Sequence, residues 1–410
     1  MSGLGQMACD RSACLIPTEP LFTVHVRETE GAECFLVIHS VRHGSACGGV
    51  RAAADVTLEE VQQLARVMTY KYSFWDRPMG GAKAGVRLPE GLSRDERLGV
   101  FRRLGQRLAP IFWANLFHPW PDLNCGPDEI GALRTGAGLP VGAMPDSSHY
   151  TALTVFGSLA ATSEFLGLKP GDCRVSIEGL GRVGMGVAQE VGDWGGKVVA
   201  ASTVWGAVAN PGGLDVEAVK RVREGHGDGF VTEAGEWQRL PREGLFGVPA
   251  DIVVPCARVG SINAAVAAAL QVGAMVPGAN APCTEEGEVI LTRRGALVLP
   301  DFVCNSGGVV GTRLTQLGVE PPMVRGLLVE KLGGMVGRML RASRQEGVSA
   351  AALARRTAEE RYAARAEQAY PPSGIGAAIA RRLSRRVPRP YRRRTAVAEF
   401  LRVAQARFSG

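Results

Sequence analysis

Three side chains in this 410-residue chain have the types and settings for proton-transfer chemistry: Lys71, Lys83 and Asp122. Lys71 closes the run Met68-Thr69-Tyr70-Lys71. Lys83 lies in Pro78-Met79-Gly80-Gly81-Ala82-Lys83-Ala84-Gly85, and Asp122 follows a proline-rich turn in Pro121-Asp122-Leu123-Asn124. Small neighbours on both sides of a lysine let a ligand come close to its amine. Taken alone, the same pattern also describes a surface lysine in a turn.

A second constellation is Gly179-Leu180-Gly181-Arg182-Val183-Gly184, which fits G-x-G-x-x-G. It follows an apolar run, opens a helical one, and is followed by a second apolar run at the spacing of a dinucleotide-binding turn. The first glycine permits the tight turn, the second lets a pyrophosphate approach the backbone, and the helix N-terminus offers free N–H groups. An acid at the end of the second strand would hold a ribose 2′-hydroxyl. Here the chain reads Ala201-Ser202-Thr203-Val204-Trp205, with neither an acid nor a nearby arginine. The choice between NAD and NADP therefore stays open.

The elements that must position these groups follow from periodicity. Residues 34–39 read as a buried strand. Residues 58–74 read as a helix with Thr57 as N-cap and Glu60 completing a capping box. Gly80-Gly81 reads as a turn leading to a short strand at 84–88, and residues 93–108 as a helix started by Ser93. From about 150, strands at 173–179, 197–202, 251–255, 273–277 and 296–300 alternate with helices. Their lack of polar alternation predicts a parallel sheet covered on both faces. After Gly308 the chain reads helical, broken at Pro371-Pro372. The fold class is α/β: an N-terminal α/β substrate domain (1–147), a doubly wound Rossmann-type domain (148–308), and C-terminal helices (309–410) that cross back to the first domain near residue 310.

Composition narrows the function. Apolar residues at 46% supply two cores, and nine scattered cysteines without a CxxC pair predict reduced thiols and no metal. Neither a membrane span nor a secretory signal is read, which predicts a cytoplasmic protein. The net charge of +7 is concentrated in residues 381–394, with eight arginines. This segment reads as a solvated surface rather than a nucleic-acid contact, so nucleic acid is not an expected partner.

The blocks MTYK and PMGGAKAGV, GLGRVG, Pro277-Gly278-Ala279-Asn280-Ala281-Pro282 and Pro300-Asp301-Phe302-Val303-Cys304-Asn305-Ser306-Gly307-Gly308 run in this order over residues 40–312. Together they resemble the glutamate/leucine/phenylalanine/valine dehydrogenase family. The resemblance implies oxidative deamination of an L-amino acid to a 2-oxo acid and ammonia, with NAD or NADP as hydride acceptor and a hexamer or octamer of identical chains. It implies that Lys83 and Asp122 are catalytic and that Lys71 binds the substrate carboxylate. Gly80, Gly81 and Asn305 would help to hold the amino acid. Gly179, Gly181, Arg182, Val183, Gly184, Thr203, Thr151, Cys256, Ala257, Asn280 and Asn305 would line the cofactor site. A lysine base must be neutral to work, and burial beside a second cation favours that form.

Departures from the family pattern bear on the substrate. Glutamate-specific members carry a lysine before Gly-Gly-Ile/Val-Arg, where this chain has Cys47-Gly48-Gly49-Val50-Arg51. Trp120 stands where relatives have a small residue, Val309 and Thr312 where they set specificity, and Pro277 where glutamate types often carry an acid. The expectation is a non-acidic, aliphatic or aromatic substrate. The alternatives are a glutamate dehydrogenase with an altered distal contact and, from another class, a non-catalytic nucleotide-binding paralogue acting through its basic tail.

Overall fold

A computed structural model describes residues 15–28, 31–41, 44–142, 144, 146–233, 235–365, 389–405 and 408. Pro371-Pro372 and Arg381 to Arg386 lie outside the described residues. The chain divides into unit 1, Met1–Met144 with Arg355–Ile379, and unit 2, Pro145–Ala354 with Ala380–Gly410.

Unit 1 is built on a five-stranded sheet ordered β1-β2-β4-β3-β5, with β1 Phe22–Arg27, β2 Glu33–Ile38, β3 Ala46–Ala53, β4 Gly80–Arg87 and β5 Phe117–Pro121. β1, β2 and β4 are antiparallel neighbours, whereas β3 runs parallel to both β4 and β5. One face carries the main core, where Leu36, Ile38, Val50, Ala82, Ala84 and Val86 meet helices α2 (Arg94–Trp113) and α3 (Pro127–Gly136). Helix α1 (Leu58–Phe74) covers part of the other face through Val61 and Ala65 against Phe35 and Val37. Because Val37 pairs with Lys83 across the strands, that second face is also the one that bears Lys83.

Two local expectations are corrected here. Thr57 caps α1 by accepting from the Glu60 amide, but the Glu60 carboxylate is bonded to Arg51 instead of closing a capping box. A buried guanidinium needs an acceptor more than an exposed helix end does. The reciprocal box forms at Ser93 and Glu96. Gly80 and Gly81 are not a turn but the start of β4, because α1 and the end of β2 press on the strand there. A side chain at Gly81 would collide with Thr69 and Ala65, and one at Gly80 with the Ser40 carbonyl.

Unit 2 opens with α4 (Ser148–Phe165) and carries a seven-stranded sheet, ordered β12-β11-β10-β6-β7-β8-β9. Its strands are β6 Arg174–Glu178, β7 Lys197–Thr203, β8 Gly206–Ala209, β9 Gln238–Leu240, β10 Ile252–Pro255, β11 Ala274–Met275 and β12 Leu297–Val298. β12, β11, β10, β6 and β7 are parallel as expected, but β8 and β9 add antiparallel strands at the β7 edge. Helix α5 (Arg182–Asp193) follows β6, and the strand order reverses between β6 and β10, which is the switch point of a doubly wound sheet.

Beyond β12 the helices include α6 (Asp301–Cys304), α7 (Gly307–Gln316), α8 (Leu332–Glu346), α9 (Ala350–Ala364) and α10 (Arg389–Ala404), with a short helix Pro321–Gly326 and a π-helical turn Leu327–Lys331 leading into α8. The chain enters unit 1 inside α9, at Arg355, rather than near residue 310. The glycines of α7 explain the delay: Gly307 and Gly311 lie so close to Tyr150 that side chains there would collide with it, which ties α7 to α4 in unit 2. Among the described residues no helix is long and apolar enough to cross a membrane, and seven cysteines form no disulfide.

Candidate active site

β3, β4 and β5 bring Cys47, Gly49, Arg51, Gly81, Lys83, Trp120 and Asp122 to the α1 face of the first sheet. The strand register sets Cys47 beside Gly81 and His118, and Gly49 beside Trp120. Cross-strand neighbours share a face, and residues two apart along a strand stay on it.

Lys83 is only 2% exposed, and its Nζ lies 2.7 Å from Asp122 Oδ2. Asp122, directly after β5, is 19% exposed at its side chain. Arg51 Nε donates to the same Oδ2 at 3.1 Å, while its Nη1 bonds Glu60. The cluster packs directly against Gly49, where a β-carbon would stand 2.7 Å from the Asp122 Cβ and 3.2 Å from Lys83 Nζ, so a side chain there would collide with it.

The electrostatics separate the two partners. Burial lowers the Lys83 pKa below the usual lysine value, Asp122 opposes that shift, and the Arg51 charge reinforces it. For Asp122 burial pushes upward, but the charges and hydrogen bonds of Lys83 and Arg51 prevail and hold the carboxyl well below its ordinary range. Asp122 therefore stays an anion with a permanent cation beside it, and Lys83 can lose its proton without stranding that anion. Arg51 and Glu60 were not singled out from the sequence as site residues. The available signal was that Arg51 falls two residues after Gly49, on the same strand face.

Of the other unit 1 candidates, Lys71 is buried in the last turn of α1. Gly80 and Gly81 have their N–H groups engaged, with the Ser45 carbonyl at 2.7 Å and Thr69 Oγ1 at 3.2 Å, so the fold already uses both donors. Thr69 Oγ1 also lies 2.8 Å from His39 Nδ1, and His39 Nε2 lies 3.1 Å from the Pro17 carbonyl. The Pro17 carbonyl can only accept, so Nε2 of the neutral ring carries the proton and Nδ1 accepts from the Thr69 hydroxyl. The Cys47 thiol is buried, and burial pushes its pKa up to about 11 against the smaller, lowering effects of Tyr72, Trp120 and the Gly48 amide.

In unit 2 the fingerprint turn is tightly held. Gly179 has φ 84° and packs against Ala257, where a β-carbon would meet the Ala257 Cα at 2.9 Å. Its N–H donates to Ser202 Oγ at 3.2 Å. Gly184 sits against the Gly179 carbonyl, and Val183 follows the exposed Arg182, which lies 3.8 Å from Asp146. Gly181, the N-cap of α5, has open space in front of it. Thr203 is buried with its hydroxyl donating to the Asp228 carbonyl at 2.8 Å, so that hydroxyl is spent inside the fold.

Asn305 donates through Nδ2 to the Ala279 carbonyl at 2.9 Å and to Asn280 Oδ1 at 3.0 Å. This leaves Asn305 Oδ1 buried without a hydrogen-bond partner, and Thr312 Oγ1 is orphaned in the same way. Cys256 follows β10 beside Gly278. Thr151 donates to the Ser147 carbonyl at 3.0 Å and lies next to Gly308, and half-buried Val309 is on α7. Thr154, unnoticed in the sequence, accepts from the Gly307 amide at 3.0 Å and joins α4 to α7.

A dinucleotide suits these residues. The bare Gly181 face at the N-terminus of a 12-residue helix fits a pyrophosphate, and the orphaned Asn305 oxygen fits an amide donor.

The comparisons agree with this geometry. Residues 142–366 match the family model described as Glutamate/Leucine/Phenylalanine/Valine dehydrogenase, and residues 19–136 match the Glu/Leu/Phe/Val dehydrogenase dimerisation domain. The chain is 36% identical over 292 residues to a glutamate dehydrogenase of Thermotoga maritima, covering 67% of this chain and 70% of that one. It is 31% identical to an NADP-specific glutamate dehydrogenase of Saccharolobus shibatae, covering 67% and 68% of the two chains. A hetero-hexameric glutamate dehydrogenase from Thermus thermophilus in a Leu-bound form superposes with a TM-score of 0.72 at 28% identity, covering 83% of this chain and 87% of that one. The chain belongs to the glutamate/leucine/phenylalanine/valine dehydrogenase family and is an NAD(P)-dependent oxidoreductase acting on the CH–NH2 group of an amino acid.

Proposed function

We propose that this enzyme oxidatively deaminates glutamate to its 2-oxo acid and ammonia, with Lys83 and Asp122 as the catalytic pair. The observation that carries the assignment is the buried Lys83 amine ion-paired to Asp122 at 2.7 Å, both packed against Gly49. Glutamate is the substrate in the names of the matched relatives. The non-acidic preference expected from Cys47 has no support from them, and glutamate takes its place. A buried lysine–carboxylate pair with no reaction to run would be a cost without a return, which speaks against a non-catalytic paralogue.

Lys71 binds the α-carboxylate, and Asp122 takes a proton from the α-amino group so that its lone pair can assist. NAD or NADP, when bound, would supply the acceptor for the hydride lost from the α-carbon. Neutral Lys83 then removes a proton from the water that adds to the imine carbon, and its ammonium form stabilises the carbinolamine oxygen. Lys83 passes its proton to solvent, Asp122 returns a proton to the departing nitrogen, and ammonia leaves as the carbonyl forms and neutral Lys83 takes the hydroxyl proton. Arg51 is a positioning residue: it anchors Asp122 and favours its anionic form between proton transfers. Gly179, Gly181, Arg182, Val183 and Gly184 hold the pyrophosphate, and Asn305 with Asn280 the nicotinamide end.

We further place the substrate role in residues 1–147 and the cofactor role in 148–308, within a cytoplasmic homo-oligomer. The match to a dimerisation domain supports assembly. The test is a panel of L-amino acids with NAD and with NADP, following reduced cofactor. Glutamate should give the highest kcat/KM. Failure of every amino acid would refute the function, and a faster aliphatic or aromatic substrate would refute glutamate.

A further inference from the structure

The proposed chemistry leaves one surface of unit 2 unexplained. β7 and β8 pair Thr203 with Gly206, so Val204 and Trp205 form the whole loop of a two-residue hairpin. They are 69% and 70% exposed, the two most exposed large apolar side chains among the described residues. Such loops ordinarily take Asn or Gly, because tight hairpin turns favour positive φ. A valine and a tryptophan contribute nothing to such a turn, and adjacent exposed apolar groups mark a surface that something covers.

The place of the hairpin in the fold says what covers it. Ser202, just before the loop, accepts the Leu180 amide through its carbonyl at 2.7 Å and the Gly179 amide through its Oγ at 3.2 Å. The hairpin therefore leaves the carboxyl edge of the sheet in direct contact with the fingerprint turn. When a pyrophosphate lies on the Gly181 face, the end of the second strand meets the adenosine of the dinucleotide. β7 is that strand, parallel to β6 and next to it.

The end of β7 is also electrically balanced. Thr203 stands where an acid would hold a ribose 2′-hydroxyl, and its own hydroxyl is fully engaged. It donates to the Asp228 carbonyl at 2.8 Å and accepts the Trp205 amide at 3.2 Å. That bond brings the Asp228 carboxylate towards the strand end, but its Oδ1 lies 3.0 Å from Nη2 of Arg223, which comes from the helix Val216–His226. A carboxylate held by a guanidinium repels a 2′-phosphate less than a free one, and the guanidinium is no longer a free cation that would attract it. Arg182 serves the pyrophosphate, which NAD and NADP share.

We propose that the Val204–Trp205 tip is an uncharged adenosine platform, with the Trp205 indole stacked on adenine, through which the enzyme binds NAD and NADP with similar affinity. The inference rests on the placement of the pyrophosphate at Gly181. An aromatic face accepts a base whatever the ribose carries, and the acid and base bonded into the strand end cancel.

The test is titration of NADH and NADPH binding to the full chain by fluorescence, with no amino acid present. The two Kd values should agree within about fivefold, because a charged hydrogen bond to a 2′-phosphate would separate them by roughly tenfold or more. Trp205→Ala should raise both Kd values by about tenfold, equally and with Tm kept, and Trp205→Phe should recover most of the loss. Val204→Asp, at a side chain already in solvent, supplies the carboxylate that the strand end lacks and should weaken NADPH at least about tenfold more than NADH. A wild type that prefers either cofactor by more than about 30-fold overturns the inference, as do unchanged affinities in Trp205→Ala. If Trp205→Ala lowers the mass of the oligomer with both affinities unchanged, the tip is a subunit contact and the inference fails. A wild type that binds neither cofactor removes the pyrophosphate placement first. Because the titration contains no amino acid, failure of the glutamate assignment leaves its result standing.

Discussion

Replacing Asp122 by asparagine isolates the charge that joins Lys83 to Arg51. Both cations reach one oxygen, at 2.7 and 3.1 Å. Asparagine keeps the shape and an acceptor but removes the anion. Two unit charges about 4 Å apart interact by about 4 kcal/mol at an effective dielectric of 20, so each contact is large before desolvation is counted. Breaking a buried pair typically costs about 3–5 kcal/mol, because a charge is left without compensation. Here the cost should fall at the lower end: Arg51 keeps Glu60, and Lys83 can shed its proton. The sign for Lys83 is fixed by its neighbours. Burial and Arg51 lower its pKa and Asp122 raises it, so removing Asp122 leaves the lowering influences opposed only by the smaller effect of Glu60. The acid limb of the kcat/KM profile should therefore move to lower pH. At the same time kcat should fall about 10²- to 10⁴-fold, the usual loss when a positioned proton carrier is removed. A pH–rate series on both proteins with one amino acid measures both effects. A limb that moves to higher pH, or a lowered rate with the limb unmoved, would refute the idea that Asp122 sets the Lys83 proton.

Two further predictions follow from the geometry. Gly181→Ala meets open space at an ordinary φ of −73°, so it should leave Tm nearly unchanged yet weaken NAD(P) binding, whereas Gly179→Ala, at φ 84° and against Ala257, should destabilise the fold itself; calorimetry and cofactor titration of both variants separate the effects, and equal Tm losses would count against the pyrophosphate assignment. Burial, with help from Arg66 and against the Pro17 carbonyl, lowers the His39 pKa from 6.5 to about 4. The unfolded chain then binds the proton first as pH falls, so stability is lost between pH 6.5 and about 4. That loss is about 3 kcal/mol at 1.36 kcal/mol per unit. Denaturant midpoints across that window should show a steeper loss in wild type than in His39→Gln, and parallel slopes would contradict the buried neutral imidazole.

What was legible in the sequence was whatever local periodicity or a local motif could carry. Helix α1 begins and ends where its spacing places it, and the fingerprint turn, α5 and the parallel strands stand as read. β3 and β5 went unread because ACGGVRAA has no alternation and FHPWP holds two prolines, tolerable only because β5 is an edge strand. The role of Glu60 was hidden by its position: three residues after Thr57 it resembles a capping partner, and only the buried Arg51 claims it. Gly80 and Gly81 looked like a turn because small residues serve close packing as well as turns, and sequence does not reveal the helix pressing on them. Lys83 and Asp122 were found through family motifs, whereas the role of Arg51 came into view only once β3 and β5 stood side by side.

The most direct test of the central assignment is Lys83→Ala, assayed for amino-acid-dependent formation of reduced cofactor and, separately, for cofactor binding by titration. Loss of turnover by about 10³-fold or more, with cofactor affinity kept within about threefold, is the expected result. Retention of most of the activity would contradict it, because no other amine has been assigned the proton of the attacking water.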